Sequence, residues 1–563
     1  MRRRILLVGA TGAFGTRLAH LLSAWDVDLI LAARSAGPLR SLAAALTGPA
    51  RPEIAVFDRA APALAELKPW AVVDAAGPFQ SSDLTLAKAA IAVGAHYVDI
   101  ADGRDFVAAF PGALDVAARA ADVLAVTGAS STPALSSAAL DVLTAGWQAV
   151  DTAQVVISPG ARAPRGRSVV EAILSYVGRP VRVFTRGGWT TRAGWSGPRR
   201  VYIPGLGRRW ASLCETPDLD MIPGRFAVRH EGLFRAGLEL GVMHLGLWLL
   251  SWPVRWGWVR DLRPLAGLLR ALAGGLATFG SDRGGMVVEA EGRGPDGAPR
   301  RARWSLAADA GAGPNVPVAA AAAALRGLMD GRICARGAHA CVGLLGVDEI
   351  LGELAHLPIS TEALGVAVDE TILFRQVLGD RFDHLPATVR AIHGSRERAV
   401  LSGQGRARGD GNPLARIVRA VLGLPSPGIY PDLAVTVAPD MRGEAWTRAF
   451  GTGAFTSHLR PGRELGQFEE QFGPLRFTFE AEPTVNGFRW RFVDCSVGPF
   501  PLPSWLAPRI RARAFEADGT YRFSVAVVHP MIGLMFAYAG RLAVPAPVLR
   551  ERPGCVAAAV SRP

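Results

Sequence analysis

The feature that most constrains the fold is a glycine-rich loop at the start of the chain. An apolar run at residues 5–8 leads directly into Gly9, Gly12 and Gly15, and apolar positions at helical spacing follow. The first glycine of such a loop permits a tight turn, the second lets the backbone approach a pyrophosphate, and the third permits close helix–strand packing. Free N–H groups at the helix start face the phosphates. The arrangement predicts a dinucleotide site, with a plain glycine-rich turn as the alternative.

The first 130 residues alternate short apolar runs with helical stretches. Strands and helices that alternate at this spacing form a doubly wound parallel sheet, the Rossmann fold, which binds ligands at the carboxyl ends of its strands. We therefore predict a Rossmann domain over residues 1–130. Its predicted strands are residues 5–8, 28–32, 53–57, 71–74, 96–100 and 123–126.

The end of the second predicted strand indicates which dinucleotide the site prefers. A site for NAD usually carries Asp or Glu there to bind the ribose 2′-hydroxyl. This chain carries Arg34 and Ser35 instead, and a guanidinium beside a hydroxyl suits a 2′-phosphate. The sequence therefore favours NADP(H) over NAD(H). The predicted cofactor-binding residues are Gly9, Thr11, Gly12, Ala13, Phe14, Gly15, Arg34, Ser35, Asp58, Ala76, Gly77 and Pro78.

Two of these assignments leave alternatives open. Asp58, at the end of the third predicted strand, is placed either to bond the adenine amino group or to cap the strand end. The turn at Gly77 and Pro78 follows the fourth predicted strand. It either crosses the nicotinamide side of the crevice or forms a simple rigid turn.

Polar residues around the fifth predicted strand are the candidates for catalysis. They are His96, Tyr97, Asp99 and Asp102. The cofactor supplies the hydride chemistry, so the protein must orient the acceptor and handle a proton. A His or Tyr can protonate a developing alkoxide or amine, and an Asp can orient it. The alternative is that His96 and Tyr97 pack in the core while Asp99 and Asp102 cap the next helix. The candidates for substrate binding are Ser130, Ser131 and Thr132.

Beyond the first domain the pattern is looser. Residues 131–365 mix short strands with apolar helices predicted at residues 231–250, 264–277 and 318–329, which indicates an α+β substrate domain. Residues 370–550 carry runs of period two, which predict a mainly antiparallel β (α+β) domain, its sheet partly closed into a barrel or cup. The many aromatic residues of that domain are either core or the lining of an apolar ligand site.

The net charge of +13 is unevenly distributed. Residues 162–209 contain 11 arginines and a single acid, Glu171, with tryptophans between them. Such a stretch is either a surface for nucleic acid, anionic lipid or an acidic substrate, or an ordinary solvated face. No nucleic-acid-binding motif accompanies it, so we expect no nucleic-acid partner.

A second segment raises the question of membrane contact. Residues 236–254 are mostly apolar, Glu239 and His244 interrupt the run, and Trp256 and Trp258 follow it. A membrane span needs about 20 clean apolar residues, so we predict an apolar-faced helix. Peripheral membrane contact through its aromatic and arginine flank is the alternative.

The remaining expectations concern the compartment and the partners. The five cysteines show neither CxxC pairs nor histidines at metal-ligand spacing, which predicts no metal and a reducing compartment. The apolar run at residues 5–8 is too short for a signal peptide. We expect the protein to be a cytoplasmic homo-oligomer, with peripheral membrane contact as the alternative. We expect its substrate to be a small molecule or a lipid-like compound.

Taken together, these residues resemble the saccharopine dehydrogenase/reductase family of NADP-binding proteins from residue 1 to about residue 360. The resemblance rests on residues 9–15, 76–79, 94–103 and 128–133. It implies an NADP(H)-dependent oxidoreductase and leaves the substrate open, with a lipid or polyketide-like compound as one expectation. A non-catalytic NADP(H)-binding sensor or scaffold, with a ligand- or partner-binding C-terminal domain, is the alternative.

The last 190 residues resemble a bacterial domain of unknown function that is often fused behind such reductases. The stretches that carry this resemblance are residues 374–380, 385–386, 446–450, 472–475 and 529–533. The resemblance implies no activity.

Overall fold

The computed structural model divides the chain into two compact units, Met1–Gly365 and Val366–Pro563, each with its own hydrophobic core. It describes residues 2–49, 52–164, 166–367, 372–394, 399–409, 412–421, 424–440, 443–451, 453–498, 500–503 and 505–543. No helix within these ranges has both the length and the apolar character needed to cross a membrane.

The first unit contains sixteen strands and twelve α-helices among its described residues. The strands are β1 (Arg4–Val8), β2 (Asp28–Ala33), β3 (Glu53–Val56), β4 (Ala71–Asp74), β5 (His96–Asp99), β6 (Leu124–Thr127), β7 (Ala149–Ser158), β8 (Pro180–Thr185), β9 (Gly188–Ala193), β10 (Arg199–Ile203), β11 (Gly207–Leu213), β12 (Glu231–Leu238), β13 (Gly284–Arg293), β14 (Pro299–Ala308), β15 (Gly337–Ala340) and β16 (Ile359–Ala367). The helices are α1 (Ala13–Ser23), α2 (Ala36–Ala45), α3 (Leu64–Leu67), α4 (Thr85–Ala92), α5 (Arg104–Ala120), α6 (Ser136–Leu143), α7 (Arg167–Tyr176), α8 (Asp218–Arg225), α9 (Gly241–Arg255), α10 (Ala266–Leu276), α11 (Val316–Met329) and α12 (Val347–Gly352).

The first sheet has seven parallel strands in the order β15-β6-β5-β4-β1-β2-β3. Strands such as β4 and β6 are buried along their whole length, because a sheet covered by helices on both faces has no solvated side. The predicted doubly wound parallel sheet is therefore confirmed. The strand order reverses between β1 and β4, and such a switch point is where sheets of this kind bind ligands.

The seventh strand, β15, comes from a distant part of the chain. Its four residues, three of them Gly or Ala, show no strand periodicity, so the sequence pattern predicted them as part of the central domain. Helix α11 also belongs here, because it packs against α1 and β5. All six alanines at residues 319–324 of α11 are buried, and their small side chains permit this close approach.

The second sheet is mixed, with the order β10-β11-β12-β7-β13-β14-β16 and a side branch of β8 and β9 on β12. Strands β12 and β7 run parallel, whereas β12 and β11 run antiparallel. The helix predicted over residues 231–250 is wrong in its first part, where β12 lies, and α9 begins only at Gly241. The two neighbouring strands offer hydrogen-bond partners to β12, and this tertiary pairing outweighs the apolar helical pattern.

The second unit contains eleven strands and three α-helices among its described residues. The strands are β17 (Ala399–Arg408), β18 (Gly428–Asp440), β19 (Gly443–Phe450), β20 (Gly453–Pro461), β21 (Gln467–Phe472), β22 (Leu475–Thr484), β23 (Gly487–Val497), β24 (Phe500–Pro501), β25 (Arg509–Ala517), β26 (Thr520–His529) and β27 (Gly533–Leu542). The helices are α13 (Leu373–Leu378), α14 (Ala387–His393) and α15 (Pro413–Val421).

Ten of these strands form a closed antiparallel barrel in the order β22-β21-β20-β19-β18-β17-β27-β26-β25-β23, and the pairing of β22 with β23 closes it. The predicted antiparallel sheet is confirmed, and its closure is complete. Phe374 of α13 packs against Phe468 and Phe488 of the barrel, so aromatic side chains fill the core. The end of the predicted C-terminal domain, residues 544–550, lies outside the described residues.

Candidate cofactor and substrate site

The glycine loop between β1 and α1 is tightly packed. Gly9 has a φ of +79°, and a Cβ on it would lie 2.8 Å from the carbonyl carbon of Ala75. A Cβ on Gly15 would lie 2.1 Å from the carbonyl oxygen of Gly9. Gly12 is the N-cap of α1, and the first N–H groups of a helix have no partner within it. The loop therefore presents bare backbone donors at the carboxyl end of β1.

This loop forms one end of a cavity of about 1710 Å³ in the first unit. All but one of the twelve predicted cofactor residues line the cavity, and the exception, Gly15, packs behind the loop. These residues follow β1, β2, β3 and β4, whose carboxyl ends the parallel sheet gathers at one edge. The lining residues from the prediction are Gly9, Thr11, Gly12, Ala13, Phe14, Arg34, Ser35, Asp58, Ala76, Gly77 and Pro78.

The residues after β2 and β3 face the same end of the cavity. Arg34 is exposed and forms no hydrogen bond or ion pair with any residue that the structure describes, so its guanidinium is available to an anionic ligand. Ser35 is the N-cap of α2. The Asp58 carboxylate accepts the N–H of Ala60 at 2.9 Å. Asp58 therefore caps its strand end while it also lines the cavity.

At the end of β4, Asp74 holds the loop at residues 75–78. Its Oδ1 accepts the N–H of Ala76 at 2.9 Å, and its Oδ2 accepts Arg59 Nε at 2.8 Å. Burial raises the pKa of Asp74, and the Arg59 guanidinium opposes this shift. Neither residue was predicted from the sequence, although a carboxylate that ends an otherwise apolar strand was a usable signal. Arg59 itself lines the cavity.

Three of the four predicted catalytic residues do not line the cavity, and two of them, His96 and Tyr97, belong to the core of the first sheet. His96 begins β5 and so lies at the amino edge of the parallel sheet, opposite the glycine loop. Its Nδ1 accepts the N–H of Leu124 at 3.0 Å, and its ring packs against Trp70. Tyr97 is fully buried, stacks on Phe110, and donates its hydroxyl to Asp74. Both side chains are packed in the core, which is the alternative that the sequence left open for them.

Asp99 is also buried, and it braces the loops that follow β5 and β6. Its Oδ1 accepts the N–H groups of Ala101 at 2.9 Å and Gly128 at 2.8 Å, and the hydroxyl of Thr127 at 2.9 Å. Burial raises the pKa of Asp99 to about 7. Because it bonds to loop backbone and does not line the cavity, Asp99 is a positioning residue.

Asp102 is the predicted catalytic residue that does line the cavity. Gln80, two residues after Pro78, donates from Nε2 to Asp102 Oδ1 at 3.1 Å. The carboxyl group of Asp102 faces the interior of the cavity, where the surrounding protein replaces much of its hydration. This desolvation raises the pKa of the carboxyl group. Asp102 therefore retains a proton at a pH where an aspartate on the outer surface has lost it.

The same part of the cavity contains Ser130, Ser131 and Thr132, together with residues that the sequence analysis missed, Trp195, Cys214 and Thr216. The Cys214 Sγ lies 2.7 Å from the Tyr176 hydroxyl, and burial raises the pKa of the thiol to about 12. The thiol therefore stays protonated and is no nucleophile. No sequence motif marks these residues, because only the packing of the second sheet brings them to the cavity.

Family models match both ends of the chain. Residues 5–128 match the saccharopine dehydrogenase NADP binding domain. Residues 385–542 match the domain of unknown function DUF4166. The first resemblance is thereby confirmed over residues 5–128 and the second over residues 385–542. No curated protein sequence matches the chain.

Solved structures similar to this one share few residues with it. Apo histidine-tagged saccharopine dehydrogenase (L-Glu forming) from Saccharomyces cerevisiae is 12% identical, with a TM-score of 0.46 over 64% of this chain and 100% of that chain. The C. glutamicum DAP dehydrogenase in complex with DAP is 15% identical, with a TM-score of 0.36 over 61% and 94%. An engineered D-amino acid dehydrogenase bound to NADP+ is 14% identical, with a TM-score of 0.33 over 61% and 95%.

Away from the glycine loop, the cavity is lined by the apolar helices α7, α9 and α10. Their lining side chains include Val170, Ile173, Val242, Leu247, Leu250, Leu269 and Leu276. The His244 Nε2 of α9 lies 2.8 Å from the hydroxyl of Ser212, and burial lowers its pKa to about 4. Glu239 pairs with Arg209 at 3.2 Å. The polar residues that interrupt the apolar segment thus anchor it to the second sheet.

Replacing Asp99 with asparagine tests the bracing role. The amide oxygen can still accept the three hydrogen bonds, and no charge is buried. The carboxyl pKa is about 7 in the folded domain and about 3.9 when unfolded. Ionisation of Asp99 therefore destabilises the wild type as pH rises between these values, and the loss levels off above them.

We expect the thermal midpoint of Asp99→Asn, relative to that of the wild type, to rise between about pH 4 and about pH 7 and to level off above this range. NADPH affinity, measured by titration calorimetry, should stay unchanged. If the difference in thermal midpoint between Asp99→Asn and the wild type does not depend on pH, the pKa of Asp99 is not raised. If Asp99→Asn binds NADPH normally but loses turnover, Asp99 does more than position the loops.

Proposed function

We propose that this chain is an NADP(H)-dependent oxidoreductase that moves hydride between the cofactor and a long apolar substrate. The observation that carries the proposal is one continuous cavity, lined by the glycine loop at one end and by α7, α9 and α10 at the other. Pockets for single ligands enclose about 300–1,000 Å³, whereas this cavity encloses about 1710 Å³. It has room for a dinucleotide and a second, apolar molecule.

The residues at the loop end fit NADP(H). The glycines leave backbone N–H groups uncovered at the start of α1, where a helix favours phosphate. Arg34 offers an unpaired guanidinium beside Ser35 for the 2′-phosphate. When bound, NADP(H) supplies the hydride chemistry. The loop at residues 75–78, held by Asp74, supports the proposed nicotinamide end.

Reduction of a carbonyl also needs a proton donor on the substrate side. Asp83 lines the cavity, but the N–H of Thr85 bonds to its carboxylate and lowers its pKa. Asp102 has a raised pKa and a carboxyl group held by Gln80. In the proposed reaction bound NADPH would supply the hydride for the carbonyl carbon, and Asp102 would protonate the carbonyl oxygen. The carboxylate then recovers its proton from solvent.

Replacing Arg34 with aspartate tests the cofactor assignment. The variant loses the guanidinium and places a carboxylate where the 2′-phosphate would lie. A charge-assisted hydrogen bond contributes about 1.5–3 kcal/mol, so we expect NADPH affinity to fall by about 10- to 100-fold while NADH affinity holds or rises. Titration calorimetry with both nucleotides measures the change.

The matched control is Arg40→Asp, which makes the same charge change on α2 outside the cavity lining. It should leave both affinities unchanged. If Arg34→Asp still prefers NADPH as strongly as the wild type, the 2′-phosphate assignment is wrong. If the wild type binds NADPH tightly but never oxidises it with any carbonyl, imine or enoyl acceptor, the chain is a sensor or scaffold and the proposed oxidoreductase activity falls.

A further inference from the structure

Helices α9 and α10 present a large apolar surface to solvent. His244, Leu247 and Ser251 of α9 are buried, so one side of the helix packs on the protein. The opposite side and the neighbouring segments expose Leu249, Trp256, Trp258, Leu268, Leu272 and Phe279, each between 54% and 80% exposed. We call these six residues the α9–α10 face. Exposed apolar patches of this kind mark interaction sites.

Tryptophans extend along the edge of this face. The rings of Trp252 and Trp256 lie 5.4 Å apart, and those of Trp256 and Trp258 lie 4.8 Å apart. The guanidinium of Arg255 lies 5.0 Å from the centroid of the Trp252 ring. Tryptophan and arginine together favour the boundary between acyl chains and headgroups, because each joins an apolar body to a polar group.

The charge of this region is positive. Between residues 241 and 280 the sequence has four arginines, Arg255, Arg260, Arg263 and Arg270, and one acid, Asp261. Asp261 is bonded to Arg263 at 2.8 Å, so it neutralises only one of the four. An excess of arginines beside exposed apolar side chains complements an anionic lipid surface. A second copy of this chain would bring the same positive charge to the interface, so it is the poorer partner for this face.

The cavity lining includes two residues of this face. Leu249 and Leu272 are exposed to solvent and also line the cavity, and Leu250, Leu269 and Leu276 continue its lining inward along the same two helices. Helix α9 has 15 residues, fewer than the about 20 that a span requires, so it suits a position parallel to the membrane plane.

We propose that the α9–α10 face docks on an anionic lipid bilayer and that the cavity takes its long-chain substrate from that bilayer. The docking stands on the exposure and charge of the face alone. The delivery of substrate rests on the proposed function.

Vesicle co-sedimentation of the full chain tests the docking. We expect at least about tenfold tighter binding to phosphatidylcholine vesicles with about 30% phosphatidylglycerol than to phosphatidylcholine alone, and weaker binding at high salt. The test variant is Trp258→Glu/Leu268→Glu, because neither residue lines the cavity. It should lose vesicle binding by about tenfold or more and keep NADPH affinity.

The matched control is Val116→Glu/Val142→Glu, two exposed apolar residues of α5 and α6. It should bind vesicles as the wild type does. Equal binding to both vesicle types, or unchanged vesicle binding by the test variant, would overturn the docking. The docking would also be overturned if the wild type were a dimer and the test variant a monomer that still binds vesicles, because the face would then be a dimer interface. Failed docking with intact NADPH-dependent reduction of a dispersed substrate would overturn this inference alone. If the chain binds vesicles but reduces no substrate with NADPH, both the delivery of substrate and the proposed function are wrong. The docking on lipid would still hold.

Discussion

Replacing Gly15 with alanine is expected to abolish measurable NADPH binding and to destabilise the first unit. The added Cβ would lie 2.1 Å from the carbonyl oxygen of Gly9. The backbone of either Gly15 or Gly9 must therefore move. Gly9 has little freedom to do so, because its φ is +79° and it packs closely against the backbone of Ala75. Overpacking of this kind lowers the free energy of unfolding by about 1–3 kcal/mol. Titration calorimetry and thermal unfolding measure the two effects.

A glycine in open space provides the control. Gly112 lies within α5, and a Cβ on it would meet nothing within 4 Å. Alanine there should keep NADPH affinity and stabilise the helix by about 0.5–1 kcal/mol. NADPH binding by Gly15→Ala that equals that of the wild type would show that the loop does not hold the cofactor in the way proposed.

The second large effect is expected from Asp102→Asn. The amide oxygen can still accept the hydrogen bond from Gln80, so the loop geometry and NADPH binding should persist. The variant cannot donate the proton, and loss of a general acid lowers turnover by about 100- to 10,000-fold. NADPH oxidation in the presence of a long-chain aldehyde, followed by absorbance, measures the loss.

The pH dependence separates proton transfer from a structural effect. In the wild type the acid is available below the raised pKa of Asp102, and turnover falls as pH rises through that value. The variant should lack this fall. Asp83→Asn, which also changes a carboxyl group on the cavity lining, should retain both turnover and the pH profile. Full turnover by Asp102→Asn would place the proton donor elsewhere.

The sequence predicted the features that depend on neighbouring residues. The strand at residues 71–74 coincides with β4, and the glycine loop lies between β1 and α1 as expected. Both depend on local rules, because an apolar run forms a strand and the tight loop after it demands glycine. The short strand β15 carries no such pattern, and only its pairing with β6 reveals it.

The catalytic prediction shows where sequence spacing stops being informative. His96 and Asp102 are six residues apart, yet the first lies at the amino edge of the sheet and the second on the cavity lining, because β5 lies between them. In a parallel sheet the residues at the carboxyl end of a strand lie at the binding edge, and those at its amino end lie at the opposite edge, however close they are in sequence. Trp195 and Cys214 reach the cavity only through tertiary packing, which no local pattern encodes.

The central claim is that one cavity holds NADP(H) and a long apolar substrate so that hydride passes between them. Deuterium transfer tests it most directly. The chain is incubated with NADPH that carries deuterium on both faces of the hydride-bearing carbon, together with a lipid extract of cells that express it and a series of long-chain aldehydes. Mass spectrometry should find deuterium in an apolar product with the wild type, and Asp102→Asn should form that product at least about 100-fold more slowly. Tight NADPH binding without deuterium in any product would contradict the claim.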